Sequence, residues 1–237
     1  MDCLMEEIHW KGGADLRGLK ALLAIMVILV LLSLSGCEKE WYVVFDGDED
    51  IVDWHFEDNA GTIHEIDAEG LLLHYCWAKA PYEFTGDFTV TFNFRLDCGI
   101  GRIIPFIRLI ISDGSELRYN SIELVLGDIG DEGNEDLKVL IRGSGEETLL
   151  MAALDTVFLL PIYRTGDNKF VMAKNGDIVT FYFNDAFVDD VSISGHTWPY
   201  AASYFIPCMW VFSNPGAYFH MRSIRVVYDG TMSLHAY

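Results

Sequence analysis

From Phe88 to Leu96 the apolar residues Phe88, Val90, Phe92, Phe94 and Leu96 hold one phase, and Thr89, Thr91, Asn93 and Arg95 hold the other. That period of two is what a β-strand with one buried face requires. It recurs in the stretch from Phe170 to Ser192, where Val179, Phe181 and Phe183 stand against Ile178, Thr180, Tyr182 and Asn184. Two turns divide this stretch into three short strands. Asn175-Gly176 suits a type I′ turn, whose central residues both need φ > 0, and Asn184-Asp185 is the second turn. Further strands are expected at Trp41 to Phe45, Ile63 to Ile66, Gly70 to Trp77, Ile103 to Ser112, Ser121 to Leu126, Leu137 to Arg142, Leu149-Leu150, Phe205 to Ser213 and Phe219 to Tyr228.

About eleven to thirteen short strands separated by Gly, Asp and Ser turns predict an all-β fold, a sandwich of two antiparallel sheets. The helices that a parallel sheet needs between its strands are missing from the pattern. No repeat, low-complexity tract or Pro/Ser linker divides the chain. One β-sandwich over 45–230 is the simplest organisation, preceded by a short tether and first strand at 37–44 and followed by a tail at 231–237.

The N-terminus departs from this pattern. Ala21 to Gly36 is sixteen residues without a charge, preceded by Lys11, Arg17 and Lys20. That is the length of a signal-peptide core and shorter than the roughly 20 residues of a membrane span. Residues 1–36 are therefore expected to form a signal helix, with Asp2, Glu6, Glu7 and Asp15 pointing to a true start at Met5 or later. Leu34-Ser35-Gly36-Cys37 resembles the lipobox of bacterial lipoproteins. The resemblance implies cleavage before Cys37, acylation of its thiol, and anchoring in the cell envelope. Glu38 at the second mature position implies the outer membrane. A plain signal anchor with an incidental cysteine is the alternative.

Composition narrows the partners. The net charge is −20, from 36 acidic and 16 basic residues, so phosphate backbones are repelled and nucleic-acid binding is excluded as a function class. Cations and neutral ligands such as sugars remain. Beyond the leader and Cys37, the chain keeps Cys76, Cys98 and Cys208, an odd number that allows at most one disulfide and shows no zinc-ligand spacing. Cys208 keeps phase with Ile206, Trp210 and Phe212, and Cys98 with the strand before it, which reads them as buried hydrophobes.

Several short stretches fall in a familiar order: Phe45-Asp46-Gly47 with Trp54, then Tyr82, Phe84 and Gly86-Asp87-Phe88, then Phe92 to Leu96. Phe106-x-Arg108, Ile122-Glu123, Asn175-Gly176-Asp177 and Met221 to Val226 complete it. The order resembles the concanavalin A-like jelly-roll superfamily, nearest to its 3-keto-disaccharide hydrolase and laminin-G-like branches. The resemblance implies two stacked curved sheets with a glycan on the concave face of one. It also implies a ring-contacting Arg and a Glu on neighbouring strands, at Arg108 and Glu123. The Glu-x-Gln of the hydrolase branch is replaced by Glu123-Leu124-Val125, and the paired acids of laminarinase-type enzymes are absent.

Candidate chemistry follows from residue type and place. Arg108 and Glu123 interrupt apolar strands, either as a polar pair for sugar hydroxyls, with Glu123 as acid/base and Arg108 polarising the substrate in an enzyme, or as a structural cross-strand ion pair. Trp77, Trp198 and Tyr200 are candidate platforms for the C–H faces of sugar rings, whereas Trp210 reads as core. A calcium ion is the cofactor that an acidic loop would suit. The loop with Asp128, Asp131, Glu132 and Asp136 is the candidate, against a merely solvated loop. Asp46, Asp48, Asp50 and Glu57 match an EF-hand count but lack its glycine. No histidine pair, nucleophile elbow or phosphate loop occurs. Three functions compete: a membrane-anchored carbohydrate-binding lipoprotein, a glycoside or 3-keto-disaccharide hydrolase, and a protein–protein adhesion module.

Overall fold

The computed structural model describes residues 38–97, 103–112, 121–126, 137–142, 148–154, 165–192, 204–213 and 217–235. The signal segment, Cys37, Cys98, Trp198, Tyr200 and the acidic loop with Asp128, Asp131, Glu132 and Asp136 lie outside the described residues. The described elements are β1 (Lys39–Val44), a 3-10 turn (Asp48–Ile51), β2 (His55–Asp67), β3 (Gly70–Lys79), β4 (Tyr82–Phe84), β5 (Phe88–Asp97), β6 (Ile103–Ser112), β7 (Ser121–Leu126) and β8 (Leu137–Arg142). They continue with β9 (Thr148–Leu154), β10 (Thr165–Asn175), β11 (Ile178–Phe183), β12 (Ala186–Ser192), β13 (Tyr204–Ser213), β14 (Tyr218–Tyr228) and β15 (Met232–Leu234). The fold is all-β and antiparallel, as the alternation requires. β1 pairs with β14 and β15 with β4, so the residues expected as tether and tail are hydrogen-bonded into the sheets.

The ladder runs β12-β11-β10-β5-β14-β3-β13-β6-β7-β8-β9 and bends into two layers at β3. Leu71 to Leu73 pair with β14 in the first layer, and Cys76 to Lys79 pair with β13 in the second. Tyr75 sits between them at φ 50, an unusual conformation for a bulky residue. The register with β2 shifts there as well, between Asp58 and Ile63. The bulge changes the phase of the strand, so Leu71 and Leu73 and then Cys76 and Ala78 all face the same core.

That core joins the layers. Phe92, Phe94, Phe170, Phe181 and Phe219 from the first layer share one cluster with Ile107, Ile122, Met209 and Val211 from the second. The rings stack rather than merely fill space: Phe94 lies 5.4 Å from Phe219, and Phe170 lies 6.1 Å from Phe181. β14 carries its own bulge at Arg222, which returns Ile224 and Val226 to the core after Phe219 and Met221.

Of the two hairpin turns in the β10–β12 meander, the second stands at Asn184-Asp185 as expected, and the first is built differently. β10 runs through Asn175, so the loop is Gly176-Asp177, and only Gly176 has positive φ, at 56. Glycine at the first central position alone is the type II′ requirement, not type I′. Asn184 and Asp185, with φ 48 and 67, form the turn in which both central residues are left-handed. The Asn184 side chain accepts from Lys169 N at 2.8 Å and donates to Asn168 Oδ1 at 3.0 Å.

Candidate functional site

The second layer has two faces. Ile107 on β6 and Ile122 on β7 are fully buried in the main core, and Arg108 and Glu123 are the next position on each strand. The register makes these two residues direct partners across β6 and β7. Antiparallel partners hold their Cα atoms about 4.5–5.5 Å apart. The row continues on both sides, from His55 through Lys79 and Cys208 to Arg108, Glu123, Leu140 and Met151.

The neighbouring row carries Glu57, Trp77, Trp210, Phe106 and Val125. Trp77 is half-buried and packs on the fully buried Ile206 and Cys208, which share one phase of β13 as expected. The residues facing the main core are Met209 and Val211. Cys208 is fully buried, as expected, but it lies in a separate small cluster with Ile206 under Trp77. Trp210 is the register partner of Trp77 across β13 and β3. Cys76, by contrast, is buried within the main core.

Lys79, which is not singled out in the sequence, belongs here with Glu57, which enters there only in an EF-hand count. Lys79 is 5% exposed, and its ammonium donates to Glu57 Oε1, with His55 Nε2 3.8 Å from the same oxygen. A buried ammonium needs such a carboxylate, because desolvation without a partner costs several kcal/mol per ion, on the order of the whole stability of a domain. The signal that could have found Lys79 is its break in the run Gly70 to Ala80, otherwise rich in apolar residues. The Lys79–Glu57 pair thus sets a cation and a carboxylate beside Trp77. Such a surface offers charge-assisted hydrogen bonds beside an aromatic flank.

The acidic turn at Asp46 to Asp50 has a structural use. The Asp50 carboxylate accepts from the N–H groups of Asp46 and Gly47, both at 3.0 Å, and so closes the 3-10 turn. Among the described residues no group of His, Cys, Asp and Glu could hold a metal ion. No described helix is long and apolar enough to cross a membrane.

No family model matches the chain, and no curated protein matches it. Solved structures do. The carbohydrate recognition domain of Emp46p, in a potassium-bound form, superposes with a TM-score of 0.59 at 11% identity, over 79% of this chain and 94% of that one. A Bacillus subtilis protein with a galectin-like fold gives 0.60 at 16% identity, over 81% and 98%. The endo-β-1,3-glucanase from Pyrococcus furiosus gives 0.53 at 17% identity, over 82% and 94%. The fold is a lectin- and glucanase-type jelly roll. At these identities the likeness establishes architecture, and the site must be argued from the residues of this jelly roll itself.

Proposed function

We propose that this protein is an envelope lipoprotein whose jelly roll binds carbohydrate on the second-layer face of Arg108, Glu123 and Trp77. The observation that carries this reading is the direct register of Arg108 with Glu123 across β6 and β7, one position after the core residues Ile107 and Ile122. A fork-shaped guanidinium beside a carboxylate matches vicinal sugar hydroxyls, which both donate and accept. Trp77 adds an aromatic flank for the C–H face of a ring. The likeness to a carbohydrate recognition domain supports this reading at the level of fold.

The proposal includes the anchor. Acylation of Cys37 holds the mature chain in a bilayer, and Glu38 alone separates it from β1. Two or more acyl chains give stable attachment, because each buried CH₂ contributes about 0.8 kcal/mol. The outer membrane is the proposed location.

A second reading, hydrolysis of a glycoside or keto-sugar, draws on the likeness to a glucanase and to the Crh5 transglycosylase. In it Glu123 supplies acid/base chemistry and Arg108 polarises the substrate. One experiment separates the two: the detergent-solubilised protein is applied to a glycan array, and the glycans it retains are assayed for turnover. Binding without turnover, reduced about tenfold or more in Glu123→Gln, supports the lectin reading. Turnover abolished by that change supports the hydrolase. Absence of any glycan signal rejects both.

A further inference from the structure

The outward face of the first layer has a pattern of its own. Register partners run Tyr42, Arg225, Thr91, Val171, Tyr182, Phe187 in one line across six strands, from β1 to β12. All occupy the phase opposite the core, since Ile224, Phe92, Phe170, Phe181 and Val188 beside them are core residues. The ends of the line are aromatic and open. Tyr42 and Phe187 are each 55% exposed, and Phe187 meets Tyr182 edge-to-face at 6.0 Å. Between them stand hydroxyl, amide and ion-paired groups, with Thr89, Thr180 and Asn93 flanking the line.

The chemistry of the face selects its occupant. Arg225 makes two hydrogen bonds to the Glu40 carboxylate, at 2.9 and 3.1 Å, and Lys169 pairs with Asp185. Arg95 lies 3.5 Å from Glu69, and Arg222 lies 3.1 Å from Asp167. These cations are already matched, and a chain of net charge −20 repels polyanions. A protein partner needs a contiguous apolar centre. Here five interstrand steps of about 4.8 Å separate Tyr42 from Phe187 by about 24 Å, and Arg225 and Thr91 split the line between Tyr42 and the short run Val171, Tyr182 and Phe187. An extended neutral polysaccharide meets both conditions. Its rings stack on exposed aromatics, its hydroxyls exchange hydrogen bonds with Thr, Asn and Arg, and one interstrand step is close to the length of one pyranose residue.

We infer that this face is a second carbohydrate-binding surface, holding an extended neutral polysaccharide across the strands with Tyr42 and the Tyr182–Phe187 pair as end platforms. The inference rests on the carbohydrate reading of the protein but not on Arg108 or Glu123.

The test is affinity electrophoresis of the detergent-solubilised full chain through gels containing soluble neutral glucans or mannans, beside titration with short oligosaccharides. The double variant Tyr42→Ala/Phe187→Ala is expected to lose polymer affinity about tenfold or more while oligosaccharide affinity is unchanged. Both side chains are half exposed, so the melting temperature should hold. Thr91→Glu, which puts a charge in mid-line without removing packing, is expected to act in the same direction. Undiminished polymer retardation in these variants overturns the inference, as does a wild-type chain that no glucan or mannan retards. Arg108→Ala reports separately: oligosaccharide binding unaffected by it defeats the first-site reading and leaves the second surface standing.

Discussion

Arg108 and Glu123 are direct register partners across β6 and β7, and the residue before each, Ile107 and Ile122, is fully buried. A cross-strand pair of opposite charge contributes about 0.2–1 kcal/mol to folding. Hydrogen bonds to a charged group are worth about 1.5–3 kcal/mol, or about 10–100-fold in affinity. Arg108→Ala is therefore expected to shift thermal stability by no more than about 1 kcal/mol while cutting oligosaccharide affinity at least tenfold. Calorimetric melting beside titration measures both. A large stability loss with affinity unchanged would make the pair purely structural.

Trp77 covers Cys208, and the main core covers Cys76. Thiol alkylation followed by peptide mapping should find both unreactive in the native protein. Trp77→Ala should expose Cys208 and leave Cys76 protected. Equal labelling of the two would contradict the separation of the clusters.

The turns differ in what their side chains do. Asn184 holds φ 48 and two side-chain hydrogen bonds, so Asn184→Ala is expected to cost about 1–2 kcal/mol. Asn175 has no positive φ, so Asn175→Ala is expected to stay within about 0.5 kcal/mol. Urea titration of both variants checks the ranking, and the reverse order would restore the type I′ assignment at Asn175-Gly176.

Burial opposes the charge on Asp87, yet the Lys174 ammonium at 2.8 Å and the Gly176 N–H at 2.9 Å hold its carboxyl below the ordinary 3.8. A lowered carboxyl stabilises the fold fully above its unfolded value and loses that contribution as the pH falls through the folded one. Asp87→Asn should therefore melt below wild type at pH 6, with the gap closing as the pH drops under 3.8. A gap constant from pH 6 to pH 3 would contradict the linkage.

The anchor has its own measurement. Metabolic labelling with an alkyne fatty acid should mark the wild-type chain and not Cys37→Ser, whose leader should also stay attached. A labelled Cys37→Ser variant would remove the lipid proposal.

Legibility in the sequence followed burial. β5 reads cleanly because one face is core and the other polar, Phe92 against Thr91 and Asn93. β13 misleads because both faces are buried: Ile206 and Cys208 on one, Met209 and Val211 on the other. An apolar run has no period from which to choose a face. The bulge at Tyr75 is illegible for another reason, since no glycine or asparagine marks a tyrosine held at φ 50. Arg108 and Glu123 were found as polar breaks in apolar strands, but their opposition depends on register, which tertiary pairing decides.

The most direct test of the account is a crystal structure of the protein with the oligosaccharide that the array retains best. Ligand density against Arg108, Glu123 and Trp77 is the predicted result. A second-layer face left empty at saturating oligosaccharide, or closed over Arg108 and Glu123 by packed side chains, would contradict it.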